Sequence, residues 1–156
     1  MKLVCVGRNY AAHIEELANQ RPESPVLFIK PDSAVLPREQ DFFIPDFSKD
    51  VHYEVELLVR ICKVGKHIDP EFAPTYYDAL TVGIDFTARD LQQELKEKGL
   101  PWEKAKGFDG SAVIGQWVPK ERFAGTGALQ FGLRKNGEWV QQGDTAHMLW
   151  KVDELL

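Results

Sequence analysis

Residues 51–61 read VHYEVELLVRI, and the alternation within them decides what element they form. Side chains along a β-strand point alternately to opposite faces. Val51, Tyr53, Val55, Leu57 and Val59 then share one face, and His52, Glu54, Glu56 and Leu58 share the other. Two carboxylates at i and i+2 stand roughly 6–7 Å apart, and at an effective dielectric of about 20 their repulsion is on the order of 2–3 kcal/mol. A half-buried strand avoids that cost unless water or a cation relieves it. Two readings stand side by side: a solvated glutamate face on an antiparallel strand, or oxygen donors for a hard divalent cation. A third ligand elsewhere in the chain decides between them.

The bulk numbers frame the choice. A chain of 156 residues with 44% hydrophobic and 28% charged side chains has the balance of one globular domain, not of a disordered or membrane class. The net charge is −5, and Lys and Arg form no run, so a nucleic-acid surface is not expected. Cys5 and Cys62 both lie in apolar, strand-like runs, which predicts buried, reduced thiols in a cytoplasmic protein. The chain opens directly into a short strand, and no apolar run approaches transmembrane length, so neither a signal peptide nor a membrane is expected.

Around the acidic strand the chain reads as short strands with a few helices. LVCVG (3–7), VLFIK (26–30) and TVGIDF (81–86) read as strands, YAAHIEELAN as a helix, and 76–80 as part of a short helix. In TARDLQQELKEKG, Thr87 and Asp90 have the spacing of a capping-box start, with Gly99 as the residue just past the helix end. Asn136-Gly137 marks a hairpin. The pattern predicts an α+β domain. The last stretch, DTAHMLWKVDELL, is amphipathic and stops on Leu-Leu: either a terminal helix docked on the core or the cut end of something longer.

Asp85 is the candidate third ligand. It sits in an otherwise apolar strand where a buried unpaired carboxylate is costly, and Thr87 is the better candidate for capping the helix that follows. Two glutamates on one strand face with an aspartate from a neighbouring strand make an all-oxygen site, suited to Mg²⁺, Mn²⁺ or Ca²⁺ rather than zinc. His13 and Glu16, spaced i, i+3 on the first helix, can touch. A carboxylate that holds an imidazole makes it a general base for water, although a surface His beside a surface Glu is the commoner reason for such a pair.

The stretches GRNYAAHIEE (7–16), PVLFIKP (25–31), VHYEVELLVRI (51–61), GIDFTARDLQ (83–92), GLPWEKAKGFDGSA (99–112) and QQGDTAHM (141–148) resemble the fumarylacetoacetate hydrolase family. The resemblance is greatest to its short, single-domain acylpyruvate hydrolase and isomerase branch. It implies a mixed β-sandwich roll, usually a homodimer, that binds Mg²⁺ or Mn²⁺ and acts on a small 2-oxo acid. Carried over by motif, Glu54, Glu56 and Asp85 become the metal ligands. His13 and Glu16 become the water-activating pair, and Lys106 the lysine that stabilises an oxyanion. Arg89 and Gln92 match substrate-contacting positions, and Arg8 and Lys30 sit in family motifs assigned to substrate binding. Lys104 is left as a solvated charge.

The resemblance implies hydrolytic C–C cleavage of acylpyruvates to pyruvate and a carboxylic acid, with isomerase, decarboxylase or tautomerase chemistry at the same site as the alternative. Members of that branch continue past the point where this chain stops, with a Pro-Gly-Asp turn and a Gly-Thr-Pro motif that do not occur here. That departure favours the cut-end reading of the last stretch and keeps a third expectation open, a non-catalytic remnant that binds metal or a partner.

Overall fold

The structure is a computed structural model that describes residues 1–10 and 22–156. The helix expected in YAAHIEELAN, with His13 and Glu16, lies outside the described residues from residue 11 onward. The described elements are β1 (Lys2–Gly7), β2 (Val26–Pro31), β3 (Val51–Ile61), β4 (Tyr77–Ala88), α1 (Arg89–Glu97), α2 (Glu103–Lys106), β5 (Ala112–Ile114), β6 (Val118–Pro119), β7 (Gln130–Lys135), β8 (Glu138–Asp144) and α3 (Val152–Leu155). This is an α+β chain, as its alternating strands and few helices predict. β1 pairs with β2, and β7 with β8. β3, β4 and β5 are neighbours in that order, and β6 also pairs with β4.

The chain divides into two compact units. The first comprises Met1–Val6, Leu27–Glu56 and Gly83–Ile114. Its core is Ala88, Leu95 and Ala105, against which Leu91, Trp102 and Phe108 pack. Phe42 stacks on Phe86 with ring centroids 3.7 Å apart and an interplanar angle of 7°. β4 and β5 run antiparallel with Asp85 opposite Ala112. α1 ends in a Schellman motif: Leu100 N–H donates to Leu95 O and Gly99 N–H to Lys96 O, with Gly99 at φ +63°.

The start of α1 differs from expectation. Thr87 is still in β4 and fully buried, and the cap position, Ala88, carries no side-chain hydrogen bond. Asp90 instead accepts from Ser48 Oγ (2.6 Å) and Lys49 N (2.9 Å), while Arg89 N–H donates to Asp50 O. The helix is therefore started by the loop that leads into β3, through contacts remote in sequence.

The second unit comprises Gly7–Val26, Leu57–Val82 and Gly115–Leu156. Its β7–β8 hairpin turns at Asn136-Gly137, both at positive φ (53° and 88°), as a two-residue turn of the primed type requires. This unit also departs from expectation. Residues 76–80 are not helical: a 3-10 turn, Pro70–Thr75, capped by Asp69, precedes them, and β4 begins at Tyr77 because Ala79 and Leu80 pair with β6. Strand pairing outweighs a weak local helical pattern.

The final amphipathic stretch is also broken, into a 3-10 turn (Thr145–His147) and the short α3. Between them, Asn9 Oδ1 accepts from Trp150 N (2.9 Å) and its Nδ2 donates to Trp150 O (3.1 Å), while Tyr10 bridges Met148. This extended pairing interrupts the helix. Both cysteines are free, but Cys62 is exposed rather than buried because it stands just past the end of β3. No helix of the described residues is long and apolar enough to cross a membrane.

Candidate active site

Strand alternation delivers the candidate residues of the first unit to one place. β3 brings Glu54 inward, 8% exposed, which overturns the reading of a fully solvated glutamate face. The neighbouring β4 brings Asp85 and Thr87, which share a strand face by their i, i+2 spacing. α1 supplies Arg89 and Gln92, and the end of α2 supplies Lys106.

Lys106 is the hub. Its Nζ donates to Asp85 Oδ2 (2.7 Å), Glu54 Oε2 (2.9 Å) and Thr87 Oγ1 (2.6 Å). Those three acceptors use all the donors an ammonium has. Burial disfavours the charge, but Asp85 and Glu54 outweigh it and hold the Lys106 pKa above the usual lysine value. Arg89 pairs with Glu54 Oε1 and donates to Gln92 Oε1 (2.6 Å). Its Nε is buried and has no hydrogen-bond partner among the described residues. Lys30, from β2, pairs with Asp85 Oδ1 at 2.9 Å. Each oxygen of Glu54 and of Asp85 thus faces a cationic side chain.

Glu56 has a different environment. Burial first, then the negative charges of Glu54 and Asp85, push its carboxyl up to about 8. Nearby in β1, burial and then the charge of Asp85 push the Cys5 thiol up to about 12, which disfavours its thiolate.

The sequence singled out Glu54, Glu56, Asp85, Lys106, Arg89, Gln92 and Lys30, and the first unit contains all of them. Arg8 belongs to the second unit, in the left-handed region at φ 59°. His13 and Glu16 lie outside the described residues. Thr87 and Ser111, both fully buried, are not among the site residues expected from the sequence. For Thr87 the signal was its two-residue spacing from Asp85, which its expected capping role obscured.

Among the described residues, no group of three His, Cys, Asp or Glu side chains is arranged to hold a metal ion. This departs from the expected cage of Glu54, Glu56 and Asp85. Like charges keep carboxylates apart, and here the lysine ammonium stands between Glu54 and Asp85. The donor chemistry nevertheless fits a hard divalent cation. All the donors are carboxylate oxygens, and the raised Glu56 carboxyl records a repulsion that a doubly positive ion relieves.

Comparison with known proteins gives concordant results. The profile of the fumarylacetoacetate (FAA) hydrolase C-terminal family matches residues 2–156. The chain is 42% identical to the oxaloacetate tautomerase YcgM of Escherichia coli over 156 residues, covering 99% of this chain and 71% of that protein. It is 40% identical to the mitochondrial oxaloacetate tautomerase FAHD1 of Mus musculus, covering 99% and 70%. Among solved structures, the fumarylpyruvate hydrolase of Pseudomonas aeruginosa in complex with Mn²⁺ and pyruvate superposes with a TM-score of 0.88 at 37% identity, covering 99% of this chain and 68% of that one.

Proposed function

The chain belongs to the fumarylacetoacetate hydrolase family, and from that we propose that it is a divalent-metal-dependent enzyme that generates the enolate of a 2-oxo acid by cleaving the C–C bond of acylpyruvates. The observation that carries this reading is the buried meeting of Glu54, Asp85, Lys106 and Arg89. A family relative holds Mn²⁺ together with pyruvate, the 2-oxo acid such a cleavage releases.

Glu54, Glu56 and Asp85 are the residues that would hold Mg²⁺ or Mn²⁺. When bound, the ion supplies Lewis-acid charge for the carboxylate and 2-oxo oxygens of the substrate and for the enolate. Among the described residues nothing accepts from the buried Arg89 Nε–H, a donor suited to a substrate carboxylate oxygen. Gln92, already hydrogen-bonded to Arg89, keeps the guanidinium in place.

By motif, His13 with Glu16, both outside the described residues, is the base that would take a proton from water as the water oxygen adds to the distal carbonyl. Lys106 releases one of its three internal acceptors to donate to the oxyanion that forms. Collapse of the adduct breaks the C–C bond, gives the carboxylic acid, and leaves pyruvate as its enolate, which a proton quenches. Water supplies every atom added.

A second reading, oxaloacetate keto–enol tautomerisation, needs the same enolate but no attacking water. The names of relatives at 42% and 40% identity favour it. One assay separates the two. With Mn²⁺, an acylpyruvate such as fumarylpyruvate loses its enol absorbance and yields pyruvate if the first reading holds. Faster equilibration of oxaloacetate enol, with no pyruvate from any acylpyruvate, replaces it with the second. Loss of neither signal sinks both.

A further inference from the structure

β2 is built inside out. Its burial alternates so that Leu27 (59%) and Ile29 (46%) are exposed, whereas Phe28 and Lys30 point inward. A lysine at a core-facing strand position costs several kcal/mol unless it is paired and hydrogen-bonded. Lys30 is 1% exposed, so its side chain has no open face for a ligand.

All its partners belong to the protein. Nζ pairs with Asp85 Oδ1 (2.9 Å) and lies within hydrogen-bond distance of Ser111 Oγ (3.0 Å), Ser111 O (3.0 Å), Phe86 O (3.3 Å) and Lys106 O, which share its three N–H donors. Ser111 Oγ in turn donates to Lys106 O at 2.7 Å, and Phe86 N–H donates to Ser111 O at 2.8 Å. Lys30 therefore joins β4, the end of α2 and the residue before β5 at one point. The ring closes on itself, because the Lys106 side chain returns to the other oxygen of Asp85. Space there is tight: a Cβ on Gly107 would stand 3.0 Å from Glu103 O and 3.4 Å from Pro31 Cδ.

We propose that Lys30 is a positioning residue and not a substrate ligand: it fixes the Asp85 carboxylate and the 106–111 turn that carries Lys106, and through them the metal-binding end of the site. The inference rests on the metal-dependent reading above and goes beyond it by taking Lys30 out of the substrate-binding set.

The test compares Lys30→Met and Ser111→Ala with the wild-type protein, using Mn²⁺ and oxalate as probes. Three quantities are read: Mn²⁺ affinity from free-Mn²⁺ electron paramagnetic resonance, oxalate affinity at saturating Mn²⁺, and the thermal midpoint. A positioning role weakens Mn²⁺ binding by about tenfold or more in Lys30→Met, and by less in Ser111→Ala, while oxalate affinity stays within about twofold once metal saturates.

Unchanged or tighter Mn²⁺ binding with lost oxalate binding overturns the proposal in favour of substrate contact. A lowered midpoint with both affinities unchanged reduces Lys30 to a structural residue and overturns it too. If Lys30→Met does not fold, Ser111→Ala alone decides: weaker Mn²⁺ binding supports the proposal and unchanged binding sinks it. A wild type that binds Mn²⁺ yet turns over no 2-oxo acid sinks the enzymatic reading and leaves these isotherms to judge Lys30. A wild type that binds no Mn²⁺ overturns both.

Discussion

Arg60 on β3 meets Asp78 on β4 through two hydrogen bonds of 2.7 and 3.0 Å, and their side chains remain 47% and 45% exposed. Further along the same two strands, Glu54 and Asp85 are joined by Lys106, with exposures of 10%, 11% and 4%. The exposed pair is ideal in geometry, yet water would solvate either partner alone, so it contributes little to stability. The buried group has no such recourse. Two carboxylates (Glu54, Asp85) are paired with three cations (Lys30, Lys106, Arg89), while burial and those two carboxylates push the third carboxyl, Glu56, up to about 8. A fold that needed only stability would do as well with packed apolar side chains there. Retaining that many charges out of water is consistent with the proposed site for an anionic substrate.

The contrast breaks most visibly at Glu54. Glu54→Ala removes a carboxylate shared by Lys106 and Arg89. Turnover of an acylpyruvate is expected to fall to the uncatalysed rate and the Mn²⁺ isotherm to flatten. Retained turnover would place the site elsewhere. Lys106→Met leaves two buried carboxylates without their shared cation. Chemical denaturation should show a loss of roughly 3–5 kcal/mol, and catalysis at saturating Mn²⁺ should drop by about 10²–10³.

Glu56 sharpens the comparison through pH. Its carboxyl is raised from 4.5 to about 8, so the native state binds more protons than the unfolded chain between those values. Stability of the metal-free protein should therefore fall as pH rises through that window and level off above it. Mn²⁺ binding at pH 7 should also release about one proton, measured by calorimetry in buffers of different ionisation heat. Glu56→Gln abolishes both effects if the assignment is right.

Two smaller changes bracket the scale. Ser48→Ala removes the hydroxyl that, with Lys49 N–H, holds the Asp90 carboxyl below its usual pKa, and should cost about 1 kcal/mol in urea unfolding with turnover intact. Arg60→Ala, at the exposed pair, should leave both thermal midpoint and turnover essentially unchanged.

The sequence carried what local rules govern. The 51–61 alternation, the hairpin at Asn136-Gly137 and the glycine stop after α1 all depend on residues adjacent in the chain, and all appear where expected. The α+β class follows from them, and the motif resemblance named the family that the profile match then showed. What local rules could not reveal depends on distant partners. Thr87 and Asp90 fit a capping box by spacing, but Lys106 and Ser48 claim them across 19 and 42 residues. Residues 76–80 looked helical until β6 paired with them. Lys30 was assigned to substrate binding from its family motif alone, and its burial against Asp85 and Ser111 depends on residues 55 and 81 positions away.

The most direct test is a crystal structure of the protein grown with Mn²⁺ and oxalate, a mimic of the pyruvate enolate. One Mn²⁺ held by Glu54, Glu56 and Asp85 is expected, with oxalate beside it within hydrogen-bond reach of Arg89. Mn²⁺ at another cluster, or oxalate bound away from these strands while Lys106 still bridges Glu54 and Asp85, would contradict this expectation.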